Sequence, residues 1–360
     1  MDLPTSLPSR PSLRRPGLLI VALLTCGVLL VLGAAVGAGA ATSARSKHHA
    51  ATVSGASFQT GVGDEQTEMF VDPLWQQLHT KIARYITPYD TAANIKTLTA
   101  CGRRATCEAA AHWIVHATEM HQQILVAFYY SERTSTTLPS LTIYQRDVQS
   151  FMKLFPQVRQ YQPWNEANRG TVRYRGNNFN SPSAATAAKY YQVLRRTCLG
   201  CTVVGLDILD QPNVGPSLSY IAEFKSAIGR LRTTMPSIWG LHNYSDTNRF
   251  ESSRTRAILA AVPGQVWLTE TGGIVKFGGA FPNNHGSGLS RAASALSNTF
   301  KLASTNRRIT RLYIYQWSGA TEAARFDAGL TDYRHRPRPG YLVVCQHLHA
   351  AHCRVKVSRR

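Results

Sequence analysis

From residue 57 onward, short runs of β-branched and aromatic residues recur, each followed by a polar loop and a stretch whose apolar positions fall three and four apart. The first kind of spacing suits strands and the second suits helices that bury one face. Eight runs predict strands: Ser57 to Gly63, Lys81 to Thr87, Gln123 to Phe128, Val158 to Trp164, Thr202 to Leu206, Ile238 to Asn243, Gln265 to Thr269 and Leu312 to Trp317. Between them, Asp72 followed by Pro73 reads as an N-cap and a first helical residue. Tyr144, Val148, Phe151 and Phe155 share a helical face, and so do Leu218, Ile221, Ile228 and Leu231. Ser183 to Thr197 is alanine-rich, with Tyr190 and Leu194 four apart. These stripes predict helices packed on a sheet.

Strand and helix alternate without long antiparallel hairpins, which implies parallel pairing through right-handed crossovers. Eight such strands can close, so the expected fold is α/β, a (β/α)8 TIM barrel over residues 57–360. An open doubly wound sheet is disfavoured. Gly61-Val62-Gly63-Asp64 lacks the third glycine of a phosphate turn and puts acids where phosphate would sit.

Ahead of the domain, Arg10, Arg14 and Arg15 precede an apolar run from Gly17 to Ala41, and Arg45 and Lys47 follow it. A secretory signal's apolar region spans about 7 to 15 residues and a membrane-spanning helix about 20, so the run fits an anchor better. Ala38-Gly39-Ala40 keeps cleavage as a signal peptide open, and Pro16 weakens the twin-arginine pattern of Arg14-Arg15. The expected order is a cytoplasmic basic segment (1–16), a transmembrane or signal helix (17–41), a linker rich in Ala, Ser, Thr and His (42–56), and an extracytoplasmic domain, membrane-anchored or secreted.

A hydrophobic content of 44% with six tryptophans and fifteen tyrosines fits a folded globule rather than a disordered chain. Forty Lys+Arg against twenty Asp+Glu give a formal charge of +20, spread along the sequence. Such a surface attracts anionic polymers and membranes without specifying one. With no zinc-finger spacing, aromatic RNA-binding signature or basic recognition helix, no specific nucleic-acid partner is expected, only nonspecific contact with an anionic cell surface. Apart from Cys26 in the apolar run, six cysteines fall in close pairs, Cys101 with Cys107, Cys198 with Cys201 and Cys345 with Cys353. Outside the cytoplasm these read as disulfides that pin local turns. A metal site at Cys345, His347, His349, His352 and Cys353 is the rival for the last pair, and a redox motif for Cys198-Leu199-Gly200-Cys201. The first asks closely spaced side chains on one segment to converge on an ion. The second lies after a helix and before a strand, the reverse of a thioredoxin-like site.

Two glutamates carry the candidate chemistry: Glu166 in Trp164-Asn165-Glu166-Ala167-Asn168 and Glu270 in Trp267-Leu268-Thr269-Glu270-Thr271, 104 residues apart. Each follows an apolar run, at the fourth and the seventh predicted strands. In a closed barrel, functional groups come from the C-terminal strand ends, so the two carboxyls would face each other across the mouth. His242 and Tyr244 follow the sixth strand, Trp317 ends the eighth, and Arg84 lies within the second. Asp64 and Glu65 after the first strand, and Asp207 and Asp210 after the fifth, are expected to cap helices or line the rim.

Asn165-Glu166 after strand four and Glu270 after strand seven resemble the mark of clan A of the glycoside hydrolases, (β/α)8 retaining enzymes that include cellulases, β-mannanases and β-xylosidases. The resemblance covers roughly residues 57 to 342 by strand order. It is sharp at the two glutamates, the strand-six His-x-Tyr and the strand-eight Trp. Ala167 departs from the proline common after the first glutamate, and no substrate-specific subfamily matches. The resemblance implies that Glu270 attacks the sugar, while Glu166, held protonated by a neighbouring charge and an apolar wall from Trp164, is the acid/base. It further implies that Arg84 and Tyr244 hydrogen-bond Glu270, Asn165 binds the sugar 2-hydroxyl, Trp317 is a stacking floor, and His242 positions Tyr244 or a hydroxyl. No metal or cofactor is implied. The partner would be a β-linked oligo- or polysaccharide, which such a site could hydrolyse, transfer to a sugar acceptor, or, on a worn barrel, merely bind. For each residue taken singly, a plain structural role is the rival: a helix cap or surface ion pair for either glutamate, a core position for Trp317, a salt bridge elsewhere in the barrel for Arg84.

Overall fold

The computed structural model describes residues 57–171, 181–349 and 353, so the expectations for residues 1–56 lie outside the described residues, as do positions 172–180. Among the described residues no helix is long and apolar enough to cross a membrane. Eleven strands occur among the described residues: β1 (Gln59–Gly63), β2 (Ile82–Pro88), β3 (Gln123–Tyr129), β4 (Gln160–Gln162), β5 (Thr202–Val203), β6 (Asp207–Leu209), β7 (Ile238–His242), β8 (Gln265–Thr271), β9 (Lys276–Phe277), β10 (Ile309–Tyr315) and β11 (Phe326–Asp327). Nine form one sheet in the order β5-β4-β3-β2-β1-β10-β8-β7-β6, and every pairing within it is parallel. Strands β9 and β11 form a separate antiparallel ribbon.

The two ends of that order are one stretch of chain. The Val204 N–H donates to the carbonyl of Tyr161 in β4, and the next N–H, of Gly205, donates to Ile238 at the start of β7. The fifth predicted strand thus breaks into β5 and β6, leaves one edge of the sheet and joins the other. This closes the curled sheet as a (β/α)8 barrel, and the open doubly wound alternative is set aside. Close approach requires glycine here, since a Cβ on Gly205 would sit 2.3 Å from Pro236.

The helices follow the sequence pattern. Ser140 and Ser183 accept from the N–H groups of Ile143 and Thr186, capping Leu141–Leu154 and Ala184–Thr197. Asp72 accepts from Leu74 N–H ahead of Pro73–Gln76. Tyr144, Val148 and Phe151 are buried on the first of these, and Ile221 and Ile228 on Gly215–Arg230. The barrel interior is layered. At the N-terminal ends of the strands Arg311 donates to Gln160 and Gln123, each at 2.8 Å, and lies over the Trp267 ring. Above it Ile82, Leu125, Val204, Trp267 and Tyr313 form an apolar plug, and the next layer is polar.

All three expected disulfides form, Cys101–Cys107, Cys198–Cys201 and Cys345–Cys353. The Cys198 pair follows helix Ala184–Thr197 and precedes β5, as expected. Cys345 and Cys353 are joined in a disulfide, which leaves the rival metal reading without its two thiolates, and His347 stacks on Phe300 and Phe58.

Candidate active site

Inward-facing polar residues make the layer above the plug. Arg84 on β2, fully buried, donates Nε–H to Gln162 on β4 at 2.9 Å, Nη1–H to Glu270 at 3.0 Å, and Nη2–H to both Asn165 and Asp207 at 2.7 Å. Five donors on a planar fork suit a position where several acceptors converge. Asp207 on β6 also meets His242 Nε2 at 3.0 Å and accepts from the Thr269 hydroxyl. Only glycine fits at position 240 on β7, because a Cβ there would lie 2.7 Å from both Asp207 Oδ1 and Gln162 Nε2.

Glu166 and Glu270 cap this layer, and both are almost wholly buried. Glu270 reaches the interior through a bulge in β8. Gly240 and His242 of β7 pair with Trp267 and Glu270, so between them one residue of β7, Leu241, faces two of β8, Leu268 and Thr269. Strict alternation from inward-facing Trp267 would have turned Glu270 outward. Its Oε1 accepts from the Tyr244 hydroxyl at 3.0 Å, which completes with Arg84 the two donors expected for it. Glu166 has a left-handed backbone, φ +45°, unusual for a glutamate. Neighbours hold it there. Asn165 N–H donates to Phe128, Ala167 N–H donates to Asp207, and Asn168 exchanges side-chain bonds with the Leu209 backbone. A proline at 167 would have no N–H to give Asp207, which explains why alanine fits this turn.

His242 Nδ1 lies 3.2 Å from Glu166 Oε1 and 3.5 Å from Glu270 Oε2. One carboxylate oxygen from each glutamate and one nitrogen of His242 fall within 4.8 Å of one another. Burial pulls the imidazole down, but Asp207 and Glu270 outweigh it and raise its pKa to about 10. His242 lies between the two carboxylates, close enough for the three groups to share a proton. This corrects one of the two roles expected for His242, which contacts carboxylates rather than Tyr244.

Burial would raise the Glu166 carboxyl, yet Arg169, with Nη1 2.8 Å from Oε2, and His242 outweigh it and hold its pKa below the ordinary value. Glu270 lies above its ordinary value, first through burial and then through the charges of Glu166 and Asp207, against the pull of His242 and Arg84. This resting order is the reverse of the expected one. The apolar wall expected from Trp164 is also absent from the site. Trp164 faces outward and packs on Tyr89, Tyr129 and Tyr190 between strands and helices.

Trp317 is likewise corrected as a stacking floor. It is fully buried, donates its indole N–H to Asp72 at 3.1 Å and meets Tyr341 edge-on, because β10 ends two residues earlier. Tyr315, the last residue of β10, lies within electrostatic reach of Glu270 and donates its hydroxyl to Glu65 at 3.3 Å. Asn165 Oδ1 accepts from Arg84, and its amide N–H groups remain to offer a ligand. Asp210 caps helix Tyr244–Arg249 through Ser245 and Asp246 N–H, and Asp64 accepts from Gln66 and Ser318 N–H, as structural acids should. Asp207 departs from that expectation and sits at the centre of the charge network. Arg169 and Gln162 were missed as well; the inward parity of β4, read from Gln160 and Gln162, is the signal that could have found Gln162.

No family model matches the chain, and no curated protein matches it in sequence. Among solved structures it is similar in fold to a family 39 glycoside hydrolase from Bacteroides cellulosilyticus WH2 (TM-score 0.52, 14% identity, 81% of this chain and 63% of that one). It is also similar to a family 5, subfamily 18 glycoside hydrolase from Streptomyces cattleya solved with GlcNAc (0.58, 13%, 84% and 82%). A third is a psychrophilic family 10 endo-β-1,4-xylanase (0.59, 12%, 80% and 96%). The chain thus spans under two thirds of the family 39 enzyme but most of the other two. At such identity the likeness establishes a shared barrel fold.

Proposed function

We propose that the protein is a retaining β-glycoside hydrolase, acting by double displacement on an oligo- or polysaccharide. The observation that carries this is the approach of the Glu166 and Glu270 carboxyls to within 4.8 Å at the C-terminal ends of opposite barrel strands. Retention needs carboxyls about 5 to 5.5 Å apart, whereas inversion leaves room for a water at about 6.5 to 9.5 Å. Glu270, with the Arg84 and Tyr244 donors, is the nucleophile in this reading, since both bonds favour its charged form. Glu166 protonates the leaving oxygen and later deprotonates water. Its proton is supplied across the short contact with His242, and the substrate's leaving oxygen competes with Arg169 for Oε2. Asn165 N–H groups face the sugar and Tyr315 takes the place expected of Trp317. The fold neighbours, glycoside hydrolases of families 5, 10 and 39, support the reaction class. Transfer to a sugar hydroxyl in place of water uses the same groups, and a non-catalytic binder would have no use for two buried acids so close together.

The three disulfides further support an extracytoplasmic setting, with residues 17–41 as membrane anchor or signal. The test of the chemistry is a panel of aryl β-glycosides with product configuration followed by proton NMR. A β-anomer released first supports the reading. An α-anomer first, or no turnover across the panel while oligosaccharide binds, sinks it.

A further inference from the structure

The two ends of the barrel differ in charge. Helices run back from the C-terminal strand ends, so their last turns and the segments that lead into the next strands share the end opposite Glu270. Lys153, Arg195, Arg196, Arg230 and Lys301 stand in the last turns of helices Leu141–Leu154, Ala184–Thr197, Gly215–Arg230 and Ser287–Ser304, and all are exposed. Lys81, Arg159, Arg232 and Arg307, also exposed, lie in the segments that lead into β2, β4, β7 and β10. None of these cations forms an ion pair among the described residues. Among the described residues the acids lie in the barrel interior, beyond the C-terminal strand ends or along the helices that follow them, apart from Glu119, which sits 3.3 Å from His116.

Favourable interaction with helix dipoles accounts for basic residues in last turns. It does not account for the cations beyond the helix ends, or for the scarcity of acids among them. Part of this surface is also built around an apolar point. Gln192 donates to the Leu231 carbonyl at 3.1 Å and to the Thr233 hydroxyl at 2.6 Å, which sets the Arg195-Arg196 turn beside Arg230 and Arg232. Arg159 lies against Gly200. Within the same loop the Cys198–Cys201 disulfide holds Leu199, which is 88% exposed. A single exposed leucine needs no explanation. A leucine fixed among cations matches the pattern of surfaces that rest at a lipid headgroup boundary, where apolar groups enter and basic groups meet the phosphates.

The chain enters the domain at this same end, since Ser57 leads into Gln59, the first residue of β1. On the reading above that residues 17–41 anchor the protein, residues 42–56 join the anchor to this end across at most about 50 Å, even fully extended. We propose that the end of the barrel opposite the carboxyl pair docks on the anionic phospholipid headgroups of that membrane, with Leu199 seated among them and the mouth turned away. Attraction of Lys and Arg to such a surface fades within a Debye length, about 8 Å at physiological salt. The docking therefore rests on the anchor reading for proximity and on the exposed cations for contact. Docked this way, the two glutamates meet glycan on the side facing away from the lipid.

The test is hydrogen exchange of the full chain added to vesicles of phosphatidylcholine alone or of an equimolar mixture with phosphatidylglycerol. In the mixture the amides of 198–201 and 231–235 are expected to exchange at least about threefold more slowly, and high salt to remove the difference. R195Q/R196Q/R232Q changes exposed side chains only, should keep the wild-type circular dichroism, and is expected to abolish the slowing. Equal exchange in the two kinds of vesicle, or a triple variant slowed as much as wild type, overturns the proposal. So does slowing confined to the mouth loop 272–290. If polyphosphate added to phosphatidylcholine vesicles slows 198–201 and 231–235 as much as the mixture does, the occupant is a soluble polyanion and the lipid is overturned. Extraction with alkaline carbonate tests the anchor separately. A chain that is extracted, yet slowed in the mixture, supports the docking and removes residues 17–41 as anchor; one that is retained, yet not slowed, removes the docking alone.

Discussion

Arg169 and Glu166, three residues apart on an irregular turn, form a buried ion pair, Nη1 to Oε2 at 2.8 Å. The pair sets a condition on catalysis. Glu166 must carry a proton when the leaving oxygen departs, yet Arg169 favours its charged form. The acid therefore works only over the pH range in which Glu166 is still protonated in the substrate complex, which places it on the alkaline limb of the rate profile. R169M removes a positive neighbour, so the Glu166 pKa rises and the alkaline limb of kcat/KM moves to higher pH. An unmoved limb in a folded R169M would show that Arg169 does not govern the proton on Glu166.

The two glutamates predict different losses. E270A removes the nucleophile and should abolish turnover of every substrate. E166A should cut kcat by about 10² to 10⁴ on glycosides with poor leaving groups, the usual worth of general acid catalysis, while aryl glycosides with good leaving groups still glycosylate Glu270 and give a burst. Burst kinetics on a dinitrophenyl glycoside measure this. Equal losses of E166A on both kinds of substrate would contradict its role.

Asp207 holds the positive charges of Arg84 and His242 from inside the barrel. D207N keeps the shape but leaves buried cations short of a counter-charge, a change that costs about 3–5 kcal/mol when one partner of a buried pair is removed. Chemical denaturation should show that loss, together with weaker positioning of Glu270 through Arg84. A variant as stable as wild type would mean that Glu166 and Glu270 neutralise the cations without Asp207.

The sequence made the barrel legible because its evidence is periodic: seven of the eight predicted runs coincide with strands to within a few residues, and the serine and aspartate caps stand where the helices begin. Glu166, Glu270, Arg84 and Tyr244 were legible because strand order alone brings C-terminal strand ends to one mouth. What escaped depends on breaks in period. The fifth run splits to close the barrel, which turns Asp207 from a rim residue into an interior one. The bulge in β8 lets Trp267 and Glu270 both face inward. Trp317 lies two residues past the end of β10, where alternation no longer says which way a side chain points. Arg169 follows Glu166 on an irregular turn, and no period marks it.

Gly240 tests how tightly the polar layer is packed. G240A puts a methyl 2.7 Å from Asp207 Oδ1, Gln162 Nε2 and the Leu206 carbonyl oxygen, and the last is backbone that no side-chain rotation can move away. Overpacking of this kind costs about 1–3 kcal/mol. The expected result is a lower melting temperature with a disproportionate loss of kcat, because Asp207 shifts Arg84 and His242 with it. Unchanged kcat at reduced stability would separate the layer beneath from the reaction above it.

His242 links stability to pH. Its pKa rises from 6.5 to about 10 on folding, so the folded protein binds its proton more tightly than the unfolded chain. The stabilisation is fully present below about 6.5 and is lost as pH climbs through about 10. Asp210 and Glu65, raised by burial to about 7 and about 8, also favour the protonated folded state, and their share is lost at lower pH, between their ordinary values and those figures. The difference between wild type and H242Q isolates the histidine. Urea denaturation from pH 5 to 10 should show wild type losing stability faster than H242Q above pH 7, with parallel curves below pH 6. Parallel curves throughout would mean that His242 is neutral in the folded protein, and the proton needed by Glu166 would then have to come from solvent.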